Sequence, residues 1–262
     1  MRYLTAPLLL LAAFLHLSLM PPADPGEARG WIRLFDGRSL AGWTPKVAGS
    51  SCGTDSLEVF RAERGVLKAA YDRYRRFDGR FAHLFYRQPF SSFVLRLEYR
   101  FTGEMLPDAP VWCYRNSGVM YHAQSPESME LHQGWPVSLE AQLLSSTDSV
   151  LQTTANMCTP GTMVHIGGAL TDEHCIPSRS RHYPDSQWIR LELIVQGNRF
   201  AAHLIEGDTV LTFTRPQLGG YLLPESYPLP AGTPLHSGYI ALQAEGQPVE
   251  FRNIRLKPLP PE

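Results

Sequence analysis

Charge is scarce in this chain of 262 residues: 24 basic and 25 acidic side chains leave a net charge of -1, and charged residues make up only 19%. No basic excess points to nucleic acid, and no acidic tail points to a solvating disordered segment. Helical periodicity is missing beyond the first twenty residues. So are internal repeats, a nucleotide-binding glycine loop, a Gly-x-Ser-x-Gly elbow and an Asp-rich calcium loop. Cysteine is sparse, with four residues and no Cys-x-x-Cys pair, which disfavours zinc although histidines lie nearby. What is plentiful is turn and strand material. Twenty-two prolines, 21 glycines and 11% aromatic residues accompany a 44% hydrophobic fraction, as expected for many strands joined by turns around a sizeable core.

The N-terminus reads as a secretory signal over residues 1–23. Arg2 is the lone early charge, residues 6–20 are mostly Leu and Ala, and Pro21-Pro-Ala-Asp-Pro breaks any helix. An uncleaved anchor is the alternative; no other segment is long and apolar enough to span a bilayer. Residues 24–30 form a linker and 31–259 a single domain. Export to the periplasm or the exterior exposes the cysteines to oxidation. Cys158 and Cys175 flank a Gly-, Thr- and His-rich loop, and pairing them would stabilise by about 3 kcal/mol in the chain-entropy model. Cys52 and Cys113 are then left to each other.

Period-2 alternation marks the strands. Residues 60–70 suggest a hairpin turning near Glu63-Arg-Gly65. Over 93–101, Leu95, Leu97, Tyr99 and Phe101 face the core while Glu98 and Arg100 face away. Residues 187–195 and 199–205 form a hairpin through Gly197-Asn198, and 238–245 with 249–256 form the last pair. Two segments are unusual. Residues 111–121 and 138–144 read as strands with polar side chains on one face: Leu139, Ala141 and Leu143 point one way, Ser138, Glu140 and Gln142 the other. A wet sheet face that holds a polar ligand accounts for this. The fold class is all-β, a sandwich of antiparallel sheets.

Three pieces carry a family resemblance: Leu34-Phe-Asp-Gly-Arg-Ser-Leu-Ala-Gly-Trp43; Asn116-Ser-Gly-Val119 with Leu139-Glu-Ala-Gln-Leu143; and Gly238-Tyr-Ile-Ala-Leu-Gln-Ala-Glu-Gly246 with Phe251-Arg-Asn-Ile-Arg255. In this order and spacing they resemble the 3-keto-disaccharide hydrolase family, over about 31–259, and the insert around Cys158 resembles a longer-loop branch of it. The resemblance implies a concanavalin-like jelly roll with a sugar site on the concave face. It also implies action on glycosides whose C3 hydroxyl is already a ketone, so the expected partner is an oxidised sugar.

A C3 ketone acidifies the C2 proton. Removing it gives an enolate that can expel the C1 substituent, and water can then add back. Such a site needs a base near C2, a donor or cation for the enolate oxygen, and an acid for the leaving oxygen. Glu140 is the leading base or acid, with an ion pair to a nearby arginine as its bland alternative. His122 is a candidate proton shuttle or metal ligand, with a loop-edge histidine as its plain alternative. Gln142, Asn116, Arg115, Glu98 and Gln243 are candidate sugar ligands, and Glu245 alternates in phase with Gln243. Trp112, Trp135 and Tyr183 are candidate stacking platforms, whereas Trp43 and Trp188 read as core. His165, His174 and His182 lie in or near the stapled loop. Gly118 either makes room for a ligand or marks a bulge. The sequence demands no cofactor, although a divalent ion on the enolate would fit the chemistry. Two rival functions are a non-catalytic sugar-binding module and a conventional jelly-roll glycosidase. The latter expects Glu-x-Asp-x-x-Glu where this chain has Glu140-Ala-Gln-Leu-Leu-Ser145, so its carboxylate pair is not on that strand.

Overall fold

A computed structural model describes residues 30–260; the expected signal segment, and all but the last residue of the linker, lie outside them. Two antiparallel sheets dominate. The larger runs in the order β11 (Ala169–Thr171), β10 (Thr162–Ile166), β15 (Asp208–Leu218), β14 (Phe200–Ile205), β13 (Ile189–Gln196), β6 (Ser92–Phe101), β17 (Val249–Pro258), β4 (Val66–Ala69) and β3 (Phe60–Glu63), with β1 (Ile32–Arg33) paired to β17. The smaller runs β12 (Cys175–Ile176), β9 (Asn156–Cys158), β8 (Leu139–Leu144), β7 (Asn116–Ala123), β16 (Tyr239–Ala244), β5 (Ala82–Tyr86) and β2 (Trp43–Val47).

Alternation decides which side chains meet. Leu95, Leu97, Tyr99 and Phe101 of β6 join Leu139, Ala141 and Leu143 of β8 and Ile240, Leu242 and Ala244 of β16 in one buried cluster. Each large apolar side chain fully removed from water contributes about 1.5–3 kcal/mol. The outer face of the larger sheet is a lattice of ion pairs. Arg96 pairs with Glu192, Arg100 with Glu250 at 2.7 Å, and Arg252 with Glu98 at 2.7 Å. Partly exposed pairs of this kind contribute at most about 1 kcal/mol each.

Several expectations need correction. Val111–Cys113 is a 3-10 turn, not strand. Arg115 takes φ 53, which breaks extension, so β7 begins at Asn116. Trp188 lies outside the core, half-buried, with Arg100 and Arg252 stacked 4.5 and 3.9 Å from its ring centre. The stapled loop contains β9, β10, β11 and β12 rather than irregular chain. The Cys158–Cys175 disulfide is present, across directly paired residues of β9 and β12. Cys52 and Cys113 do not pair. Cys113 is buried beside Phe77 and Ala109, whereas Cys52 stands half-buried in the turn after β2.

Thiol titration checks this assignment. The unreduced, denatured protein should yield two thiols. The native protein should yield at most one, slowly, because burial pushes the Cys52 thiol up; no thiol in the denatured protein would show a second bridge. Replacing Cys158 and Cys175 by Ser opens a bridge spanning 17 residues and should lower stability by about 3 kcal/mol in a denaturant melt.

Candidate active site

Glu140 sits mid-β8, on the face opposite the buried leucines, beside Met120 of β7 and Cys158 of β9. Gln142 follows on that face, beside Gly118 and Asn156. Gly118 answers a packing demand: a Cβ there would stand 2.3 Å from Oε1 of Glu140. The room left by the missing side chain is therefore filled by the Glu140 carboxyl itself, not by a bulge or a ligand. Glu140 is only 5% exposed.

Glu245 comes from the end of β16, two strands from Glu140, and is 2% exposed. Its Oε1 accepts a hydrogen bond from Trp135 Nε1 at 2.8 Å. A cleft of about 360 Å³ opens over both carboxyls. Asn116, Gln142, Trp112 and Trp135 line one side; Cys158, His174, Cys175, Tyr221 and Leu222 line the other. The disulfide thus fixes the second wall. Trp112, 50% exposed, stacks on Phe81 with ring centres 5.7 Å apart, and Phe81 in turn packs on Trp135 at 4.3 Å. Opposite, Tyr221 is 61% exposed and meets the His174 ring edge-on at 4.9 Å.

The polar floor is oriented from behind. Asn156 Nδ2 donates to Gln142 Oε1 at 3.1 Å, and Asn156 Oδ1 accepts from Ser178 N and Thr153 Oγ1. With its oxygen engaged, Gln142 has its amide nitrogen left to donate. Asn116 Nδ2 donates to the Trp112 carbonyl at 3.1 Å, and its buried Oδ1 has no partner among the described residues.

Electrostatics set the two carboxyls apart. Burial, then the neighbouring Glu245 charge, holds the Glu140 carboxyl far above the usual range. Burial lifts Glu245 to about 7, opposed by the Trp135 hydrogen bond. Two buried carboxyls close enough to feel each other's charge cannot both ionise cheaply. The indole N–H favours the anion on Glu245, so the retained proton resides on Glu140. Burial also keeps His174 neutral by pushing its pKa down. Among the described residues, no three His, Cys, Asp or Glu side chains are grouped to hold a metal ion; Glu140 and Glu245 supply two carboxylates only.

The structure gathers Glu140, Gln142, Asn116 and Trp135 at the cleft, with Gln243 buried next to it. It leaves three other candidates elsewhere. His122 falls where β7 has one residue more than β16 between Met120 and Ala123. Its φ of 46 ends the alternation, and its Nε2 lies 3.1 Å from the Ser91 carbonyl. Arg115 is tied to Asp185 at 2.6 Å. Glu98 belongs to the other sheet, where it accepts from Arg252 and Asn253. Tyr183 is core, and His165 and His182 stand outside the cleft. Glu245 is the partner that strand reading did not single out; its phase with Gln243 was the available signal.

Both carboxyls have folded values above the ordinary 4.5, so the unfolded chain releases these protons first. The contribution of this pair to stability therefore falls as pH rises from about 4.5 towards 7. Glu140→Gln should flatten that slope: relative to the parent, the variant gains stability between pH 4 and pH 7 in urea melts. An offset independent of pH would contradict the assignment.

Comparison with known proteins places this geometry. The chain resembles a crystal structure provisionally described as a glycosyl hydrolase from Parabacteroides distasonis, at 18% identity and a TM-score of 0.55, covering 91% of this chain and 98% of the other. A second structure so described from the same organism gives 19% identity and a TM-score of 0.51, covering 87% and 99%. A Bacillus subtilis protein of unknown function with a galectin-like fold gives 10% and 0.51, covering 85% and 92%. At these identities the likeness is one of fold, and it establishes the jelly-roll sandwich. No curated protein matches. Residues 30–257, however, match the 3-keto-alpha-glucoside-1,2-lyase-like domain, and the chain belongs to that family.

Proposed function

We propose that this chain is an exported enzyme that cleaves 3-keto-glycosides, 3-keto-disaccharides among them, by elimination and hydration. The observation that carries the reading is the buried pair Glu140 and Glu245 at the floor of a polar cleft with aromatic walls, one carboxyl biased towards the acid and the other towards the anion. Elimination needs one base and one acid, and two carboxyls whose environments separate them meet that need. Family membership supports the keto substrate, and the disulfide and the apolar N-terminal run support export.

Glu245, as the anion, takes the C2 proton, and its electron pair forms the enolate with the C3 oxygen. The Gln142 amide nitrogen donates to that oxygen as charge develops. The enolate then re-forms the ketone, creates the C1–C2 double bond and expels the C1 oxygen, which takes the Glu140 proton. Water adds its oxygen to C1 of this enone and a proton returns to C2, giving the free 3-keto sugar. Asn116 holds a hydroxyl through its unpartnered Oδ1, and Trp112 offers a ring face to the sugar.

Incubation with a 3-keto-disaccharide and with its unoxidised parent tests the proposal. Only the keto substrate should turn over, and in D2O the product should carry deuterium at C2. Product without C2 deuterium would indicate conventional hydrolysis, and sugar affinity without product would indicate a binding module. Glu140→Gln and Glu245→Gln should each lower kcat/KM by about 10²–10⁴-fold.

Activity should rise with pH through about 7 as Glu245 ionises and fall again where Glu140 loses its proton. Trp135→Phe removes the bond that favours the Glu245 anion, so the rising limb should move to higher pH. A limb unmoved in this variant would separate Glu245 from the base.

A further inference from the structure

The outer face of the smaller sheet carries a polar row that the proposed chemistry leaves unused. Register sets Lys46 of β2 beside His83 of β5, and His83 beside Gln243 of β16. Glu245 stands two residues further along that side. His83 is fully buried and Gln243 is 1% exposed. Neither ring nitrogen of His83, neither amide atom of Gln243, nor Oε2 of Glu245 has a hydrogen-bond partner among the described residues. A buried polar atom left so costs about 1–3 kcal/mol, and native proteins hold few of them. Five in one row, against the carboxyl pair, mark a place built to receive something polar.

The neighbours cannot supply it. The Lys46 ammonium spends its three donors on the backbone carbonyls of Val47, Ser50 and Leu131, at 3.4, 3.1 and 3.1 Å. Trp135 Nε1 is engaged by the other oxygen of Glu245. Trp135 borders the row: it packs against the cluster containing Phe85, Met120 and Ala241, donates to Glu245 and lines the cleft.

We propose that His83 and Gln243 form a second polar subsite beside the Glu245 carboxyl, which takes adjacent hydroxyl groups of a sugar held in the cleft. The chemistry matches the ligand. A neutral imidazole offers one donor and one acceptor, and an amide offers both; a vicinal diol needs donors and acceptors together. Water has the same hydrogen-bonding chemistry. Continuity with the cleft through Trp135 and Glu245 favours the sugar, and to that extent the inference rests on the function proposed above.

Binding of methyl α-glucoside and its 2-, 4- and 6-deoxy analogues, measured by calorimetry, tests it without requiring turnover. Gln243→Met keeps the shape and removes the polar atoms; His83→Phe is the independent second variant, and both are checked for folding by circular dichroism. The subsite predicts that Gln243→Met weakens the glucoside about tenfold. It also predicts that one deoxy analogue, weak against the parent protein, loses no further affinity in the variant. Unaltered affinities in both variants would show that the row holds water only, and would overturn the subsite while leaving catalysis intact. Sugar binding that depends on Gln243, with no turnover of the keto substrate, would sustain the subsite and reject the enzyme. Absence of any glucoside binding would overturn the subsite, and turnover of the keto substrate would then decide the enzyme separately.

Discussion

The burial of two electrostatically coupled carboxyls, Glu140 from β8 and Glu245 just past the end of β16, is the constraint around which the site is arranged. Each is nearly excluded from solvent, and ionising both would place like charges together in a poorly screened interior. The surroundings resolve this unequally. Glu245 receives the Trp135 N–H, while Glu140 has no hydrogen bond or ion pair among the described residues and lies over the bare backbone of Gly118. The sandwich behind them supplies the energy that this arrangement costs, through an apolar core that spans both sheets.

The pieces around the pair have the same logic. The Cys158–Cys175 bridge pins β12 to β9 and so holds one wall of the cleft. The stack of Phe81, Trp112 and Trp135 holds the other wall and orients the N–H that biases Glu245. Asn156, held by Ser178 and Thr153, turns Gln142 so that its oxygen is engaged and its nitrogen is free. Each of these contacts fixes a polar group before any ligand arrives, which is how a site stabilises charge that develops during a reaction.

Much of this was legible in the sequence, for a simple reason: period-2 alternation is a local signal. It placed Leu95 to Phe101 and Leu139 to Leu143 in the core and put Glu140 and Gln142 on the opposite face. The spacing of Cys158 and Cys175 around a short loop was equally local. What alternation cannot say is which sheet a strand joins. Glu98 and Glu140 have the same pattern, yet one meets Arg252 on the larger sheet and the other lines the cleft. Nor does it reveal left-handed residues, and the positive φ of Arg115 and His122 moves both out of the phase read for them. The partnership of Glu140 with Glu245 is long-range, set by β7 lying between β8 and β16. Trp188 read as core because a large aromatic ring is usually apolar ballast; two arginines cover it on the outer surface instead.

The central claim is that Glu140 keeps its proton near neutral pH while Glu245 ionises. Difference infrared spectroscopy of the carboxylic acid stretch between pH 5 and pH 8 measures it directly. The account predicts that an un-ionised carboxyl persists to pH 8 in the parent protein, whereas in Glu140→Gln the remaining buried acid signal is lost through about pH 7 as Glu245 ionises. Full ionisation of both groups by pH 6 in the parent protein would contradict it.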